Sequence, residues 1–144
     1  LDGVITVVEK ISVRFDTISS LVTATAEVIR AGAAAGAGMI NDVRALQRDG
    51  ALGAAVESGL PVCLMHIQGD PATMQSAPHY IDVVAEVSEF LQQRTRVCLD
   101  AGMQRAQFIW APGYGFRKDA QHNLTLLANQ KPLFTTPGCK GCLI

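Results

Sequence analysis

The chain has 144 residues, of which 49% are hydrophobic and 17% charged, and its 12 basic and 13 acidic residues give a formal charge of −1. This composition excludes a disordered segment and predicts one domain over residues 1–144 with a buried core. Because the charge is near zero and no apolar run is long enough to span a membrane, we expect neither nucleic acid nor membrane as a partner. The chain is large enough to build a core without disulfides, so we expect its four cysteines to be reduced and the protein to be cytoplasmic.

Helices and strands alternate along the first half of the chain. Apolar residues recur at helical spacing from Val4 and predict a helix to about Phe15. The sequence then predicts a strand over 17–22, a helix over 23–37 and a strand over 39–43. Asp49 is a plausible N-cap for a helix over Ala51–Ser58, with Gly59 as its stop.

The second half continues this alternation. A strand over 61–65 precedes a long polar loop over 66–80 and a helix with an apolar stripe, which Gly102 ends. The remaining predicted elements are a strand over 107–110, a loop over 112–115, a helix over 119–129 and a last strand over 132–136.

Five strands that alternate with helices predict an α/β fold of parallel βα units. A complete eight-unit barrel takes roughly 250 residues, so the length matches a partial TIM (β/α)8 barrel covering about five strands. The alternative is a complete doubly wound sheet of five strands, which would also bind ligands beyond the carboxyl ends of its strands.

Polar residues cluster at these predicted strand ends. They are Thr23, Asn41 with Asp42, Met65 with His66, the segment 112–118, and Lys140. The amide of Asn41 could read a ligand with paired donor and acceptor, or it could cap a turn. His66 could bind an anion or be a hydrogen-bonded structural histidine. Lys118 and Lys140 could meet a phosphate or a ring carbonyl, or be solvated surface charges.

Two of the four cysteines, Cys139 and Cys142, form a CxxC motif. That spacing can bind zinc or cycle between dithiol and disulfide, but no second ligand pair accompanies it, and incidental reduced cysteines are the alternative.

Three segments carry a more specific pattern: Ile-Asn-Asp-Val-Arg at 40–44, the run from Gly59 through Met65-His66 to Pro71 with Thr-Met-Gln at 73–75, and Pro-Gly-Tyr-Gly-Phe at 112–116. They resemble the bacterial dihydropteroate synthases of folate biosynthesis. The resemblance runs along nearly the whole chain and implies a (β/α)8 barrel roughly twice this length. Because the chain also begins without methionine, we expect it to be a fragment, similar to the segment from the helix before the third strand to the seventh strand.

The resemblance implies a transferase and sulfonamide target that joins a dihydropterin methyl diphosphate to p-aminobenzoate, with Mg2+ assisting the departure of diphosphate. It implies pterin-binding roles for Asn41 and Met65, a catalytic and pterin-binding role for Lys140, and a place for Phe116 on the p-aminobenzoate side. The family's first-strand magnesium ligand is absent from this chain.

Several positions depart from the family pattern. Val22 and Ala111 stand where the family has pterin-anchoring aspartates, Arg117 stands for a glycine, and Gly138–Gly141 replaces Ser-Arg-Lys-Ser. Loss of both aspartates removes about 3–6 kcal/mol of binding free energy, so we expect the isolated chain to be impaired or inactive. The alternative function is a non-catalytic half-barrel module, with a homodimer as a possible assembly because its edges and interior are exposed.

Overall fold

The computed structural model describes residues 2–69 and 77–135. Their helices are α1 (Asp2–Arg14), α2 (Ala26–Ala34), α3 (Ala51–Ser58), α4 (Val83–Asp100), α5 (Ala120–Ala128) and α6 (Gln130–Thr135). Their strands are β1 (Ser20–Val22), β2 (Met39–Asp42), β3 (Val62–Met65) and β4 (Phe108–Ala111), and a short 3-10 helix, Arg105–Gln107, precedes β4. No helix within these ranges is long and apolar enough to cross a membrane.

The four strands form one parallel sheet in the order β1-β2-β3-β4. The main core lies on one face of this sheet, where strand residues such as Ile40, Leu64 and Trp110 pack against residues of α2 to α6. The other face carries a small cluster around Cys63 and Met65 to which no described helix contributes.

Sequential strand order with helices on one face is the arrangement of a (β/α) barrel segment. A doubly wound sheet has helices on both faces and a reversal in strand order, so the structure excludes that alternative. The prediction of a parallel α/β fold that corresponds to part of a barrel is confirmed.

The predicted last strand over 132–136 is wrong over the residues that the structure describes. Residues 130–135 form α6, and the buried side chain of Leu133 joins Leu126 of α5 in the main core. A proline in the first turn of a helix removes only an N–H that has no intrahelical partner, so Pro132 is compatible with this helix. The described sheet therefore has four strands, and residue 136 lies outside the described residues.

The predicted helix caps have mixed outcomes. Asp49 is not the N-cap of α3, because Gly50 takes that position in the left-handed conformation at φ +76° without a side-chain bond. The predicted stop is confirmed, since Gly59 ends α3 at φ +65°. The predicted helix over 119–129 corresponds to α5, and the structure shows that Asp119 is its N-cap, whose carboxylate accepts the His122 amide at 2.8 Å.

Candidate functional site

One face of the sheet is covered by no described helix, and on this face side chains from all four strands come together near the carboxyl ends of the strands. The register aligns, in one layer across the four strands, Val22, Asn41, Cys63 and Ile109. Met65 and Ala111 are paired in the next layer towards those carboxyl ends. We call these six residues the barrel face. Only parallel pairing of consecutive strands brings them together, because they are spread from residue 22 to residue 111.

Asn41 presents an unsatisfied acceptor within this face. Its side-chain Oδ1 is buried and has no hydrogen-bond partner among the described residues, whereas its backbone carbonyl accepts the Thr23 amide at 3.1 Å. A buried acceptor without a partner costs about 1–3 kcal/mol, which a ligand N–H would recover. The geometry therefore favours the ligand-reading role of Asn41 over the turn-cap role.

The turn cap is instead the next residue, Asp42, which points to the helix-covered face. It is fully buried, and its carboxylate accepts the amides of Arg44 at 2.7 Å and Leu46 at 3.1 Å. Burial raises the pKa of this carboxyl above its usual value, although both hydrogen bonds and the nearby arginines oppose that shift. These bonds support a loop in which Ala45 and Leu46 have positive φ angles of 51° and 59°.

The other predicted site residues divide between the barrel face and the loops. Met65 and Ala111 are buried on the barrel face, and the His66 amide donates to the Ala111 carbonyl at 2.9 Å. Phe116 lies in the loop after β4 with 45% of its surface exposed. Lys140 and the CxxC motif lie outside the described residues.

Thr23 stays at the strand end but does not extend the barrel face. Its hydroxyl oxygen accepts the Thr25 amide at 3.1 Å, which forms a local turn before α2. This contact assigns Thr23 a structural role.

His66 and Lys118 form a buried pair that sequence reasoning treated as two separate residues. The ammonium Nζ of Lys118 lies 3.1 Å from Nδ1 of His66, and both residues are buried. Burial, together with the Lys118 charge, lowers the pKa of His66 to about 3, so its ring is neutral at pH 7. Burial lowers the pKa of Lys118 to about 8.

This pair decides between the earlier interpretations of both residues. A neutral imidazole that accepts a hydrogen bond cannot also supply a positive charge to an anion, so His66 has the structural role. Lys118 is not a solvated surface charge. The signal available in the sequence was that each residue follows a strand, and these strands, β3 and β4, are neighbours in the sheet.

A cavity of about 700 Å3 lies away from the barrel face, between the loop after β2 and helix α4. Its lining combines Arg44 and Arg48 with Glu86 and Glu89, and it includes His66 and Phe90. Glu86 is already engaged, because its carboxylate accepts the amides of Ile81 and Asp82. The cavity therefore shows no single charge that would select a ligand.

The magnesium ion that the family resemblance implies stays an expectation, because the resemblance places its ligand outside this chain. Among the residues that the structure describes, no group of three or more His, Cys, Asp and Glu side chains could hold a metal ion. We assign no step to magnesium in this chain.

Comparison with known proteins relates this chain to a single family of enzymes. The model of the family described as pterin binding enzymes matches residues 1–140. The dihydropteroate synthase of Haemophilus influenzae is 49% identical over 129 residues, which are 90% of this chain and 47% of the relative. The chain spans about half the length of the curated relatives it matches.

Solved structures show the same relation in three dimensions. The dihydropteroate synthase of Yersinia pestis, solved with a sulfonamide drug complex, superposes with a TM-score of 0.90 at 46% identity, over 93% of this chain and 49% of that one. The enzyme from Xanthomonas albilineans in complex with 7,8-dihydropteroate gives a TM-score of 0.87 at 41% identity, over 98% of this chain and 50% of that one.

Proposed function

We propose that this chain, which belongs to the family of pterin-binding enzymes, supplies half of the barrel of a dihydropteroate synthase-like transferase in folate biosynthesis. The observation that carries the proposal is the barrel face, where a buried amide oxygen without a partner lies beside apolar side chains at the carboxyl ends of parallel strands. Active sites of (β/α) barrels lie at that end of the strands.

The proposed reaction joins two small molecules. The amino nitrogen of p-aminobenzoate forms a bond to the methylene carbon of a dihydropterin methyl diphosphate, and the bond from that carbon to the diphosphate oxygen breaks. The amine loses a proton, and dihydropteroate and diphosphate result. The relative from Xanthomonas albilineans was solved with 7,8-dihydropteroate, which supports the same ligand for this face.

The described residues have distinct parts in ligand binding. Asn41 would accept a hydrogen bond from the polar edge of the pterin, and Met65 would contact its ring, because an aromatic ring packs favourably against a thioether. Phe116 would flank the p-aminobenzoate side from the loop after β4. Lys140 stays a predicted catalytic and pterin-binding residue.

The two replaced aspartates limit what this face can do. Val22 and Ala111 carry no charge to accept hydrogen bonds from the amino-pyrimidine edge, so we expect weak pterin binding. Full synthase activity of this chain alone would contradict the prediction that parts of the site are missing.

The proposal is tested by calorimetric titration of 7,8-dihydropteroate into the protein and into the variant Asn41→Leu. Leucine has a similar shape but no acceptor, so we expect about tenfold weaker binding. The control is Asn129→Leu, which changes an exposed asparagine that bonds only within its own helix end in the described structure. Equal binding by the protein and by Asn41→Leu would remove Asn41 from the site, and no binding by any of the three would count against the function.

A second candidate function is a half-barrel interaction module that forms a homodimer. One observation favours it: Val22, an apolar residue on the barrel face, is 64% exposed. The strand that carries Val22, β1, is an edge of the described sheet, and an exposed edge strand is a template for pairing with another chain. Sedimentation of the protein at micromolar concentration tests this candidate, and a compact monomer would count against it.

The proposed location is the cytoplasm. Its support is that Cys63 and Cys98 are buried thiols, in different clusters on opposite faces of the sheet, as expected for a chain in a reducing compartment.

A further inference from the structure

The ammonium group of Lys118 makes an unusual set of contacts for a lysine. Only 7% of the residue is exposed, and Nζ lies 3.0 Å from the carbonyl oxygen of Gly113, 3.2 Å from that of Phe116 and 3.4 Å from that of His66. The fourth contact is Nδ1 of His66 at 3.1 Å. An ammonium has three N–H donors, so these contacts occupy all of them.

None of these four partners carries a negative charge. A buried cation without a counter-charge is costly, and burial accordingly lowers the pKa of Lys118 to about 8. A methionine has nearly the same length and would fill this space without that cost. The benefit that offsets the cost must therefore come from the hydrogen bonds, which join the end of β3 to the loop after β4.

The loop after β4 lies so close to the end of β3 that position 113 requires a glycine. Gly113 has φ +77°, and a Cβ atom there would collide with the carbonyl oxygen of His66. The Phe116 amide donates to the Gly113 carbonyl at 3.0 Å and closes a turn over residues 113–116. Lys118 donates to the carbonyls of both ends of this turn.

The ring of Phe116 has little support of its own, because the residue is 45% exposed and belongs to no core cluster of the described residues. Its position is therefore set by the backbone of the turn. We infer that Lys118 is a positioning residue, which fixes the turn over 113–116 against the end of β3 and thereby places the ring of Phe116 for the p-aminobenzoate ring. This inference rests on the proposed function for its ligand and on the four contacts for its geometry.

The first test compares Lys118→Met with the matched control Lys10→Met, which alters an exposed lysine of α1. Amide hydrogen exchange is followed at the turn and at α3, which is remote from it. We expect the Phe116 amide to exchange about tenfold faster in Lys118→Met only, while α3 keeps its rate. Unchanged exchange at Phe116 would overturn the inference.

The second test measures binding of a pterin, and of p-aminobenzoate with that pterin present. Lys118→Met should weaken p-aminobenzoate binding about tenfold and leave pterin binding unchanged, because only the loop has moved. If the turn exchanges faster but p-aminobenzoate binds as before, the ligand part of the inference is overturned. If neither ligand binds the unmodified protein, the proposed function fails, and the exchange rates still decide whether Lys118 fixes the turn.

A third measurement needs no variant and covers the case in which Lys118→Met does not fold. Nuclear magnetic resonance of the lysine side chains in the unmodified protein should show a Lys118 ammonium whose protons exchange slowly and whose pKa lies below the ordinary value for lysine. Fast exchange of these protons and a pKa at the ordinary value for lysine would mean that the Lys118 ammonium is solvated, and the inference would be overturned.

Discussion

Restoring the two missing carboxylates is the most direct test of the barrel face as a pterin site. The change is Val22→Asp together with Ala111→Asp, at the positions where the family resemblance places aspartates. Val22 aligns with Asn41, and Ala111 pairs with Met65, so both new carboxylates would lie on the barrel face. We expect pterin to bind the double variant more tightly than the unmodified protein.

The magnitude follows from charge-assisted hydrogen bonds and from burial. Each carboxylate would contribute about 1.5–3 kcal/mol, so the pair would raise affinity roughly 10²- to 10⁴-fold. The folding cost is unequal, because Val22 is 64% exposed and Ala111 only 6%. We expect Val22→Asp to change the free energy of unfolding by about 0.5 kcal/mol or less and Ala111→Asp to lower it by about 1–3 kcal/mol.

The assay is calorimetric titration of a pterin at pH 8, because a high pH favours the ionised form of both carboxylates against the effect of burial. Fluorescence of Trp110, the single tryptophan, reports whether the fold near residue 111 survives, because its buried indole N–H donates to the Thr95 hydroxyl at 3.0 Å. Val22→Asn with Ala111→Asn is the control for shape without charge. A folded aspartate variant that binds pterin no better than the asparagine variant would refute the charge argument for this face.

Three further predictions concern stability. Arg117→Gly should raise the free energy of unfolding by about 1 kcal/mol in urea denaturation, because Arg117 has a φ of +49°, which glycine adopts without strain. Asp42→Ala should lower that free energy by about 2–4 kcal/mol in the same assay, since two loop amides lose their acceptor. The folded-state pKa of His66 is about 3 and lies below the ordinary 6.5, so the unfolded state takes up the proton first as the pH falls. The free energy of unfolding should therefore decrease between pH 6.5 and pH 3, by at most about 1.4 kcal/mol per pH unit. His66→Gln removes this group and should flatten that part of the stability profile, its acid limb.

Matched variants separate these causes from general damage. Gly115→Ala introduces a side chain at φ +78° and should destabilise, whereas Arg117→Gly stabilises. Asp49→Ala removes an exposed carboxylate that does not cap α3 and should be nearly neutral. His79→Gln makes the same substitution at an exposed histidine and controls for general effects of the change. A less stable Arg117→Gly variant would contradict the argument from the positive φ angle. An Asp42→Ala variant of unchanged stability would contradict the role of the two loop hydrogen bonds. An unchanged acid limb in His66→Gln would contradict the linkage argument for His66.

The order of helices and strands could be predicted where the spacing of apolar residues was regular and residues typical of helix ends flanked it. The apolar stripe of α4 is a local signal, and the structure confirms that helix. The segment 130–135 carries no such local signal. Its short apolar run suits a strand or a helix equally, and the deciding contact, Leu133 with the core, is a tertiary one.

The contact between His66 and Lys118 could not be predicted from the sequence, because it too is a tertiary contact. The two residues are 52 positions apart, and their contact depends on β3 and β4 being neighbours. Each residue alone was compatible with a ligand-binding or a surface role. Only the order of the strands turns two ambiguous residues into one buried pair.

Asn41 and Asp42 show most clearly how the fold divides tasks between adjacent polar residues. Successive side chains of a strand point to opposite faces, so one of the two must face the helices and the other the barrel face. The residue on the helix side has to satisfy its charge locally, and Asp42 does so with two backbone amides. Asn41, on the barrel face, keeps a side-chain acceptor without a partner in the described structure. Substitution of Asn41 should therefore change ligand affinity, whereas substitution of Asp42 should change the free energy of unfolding.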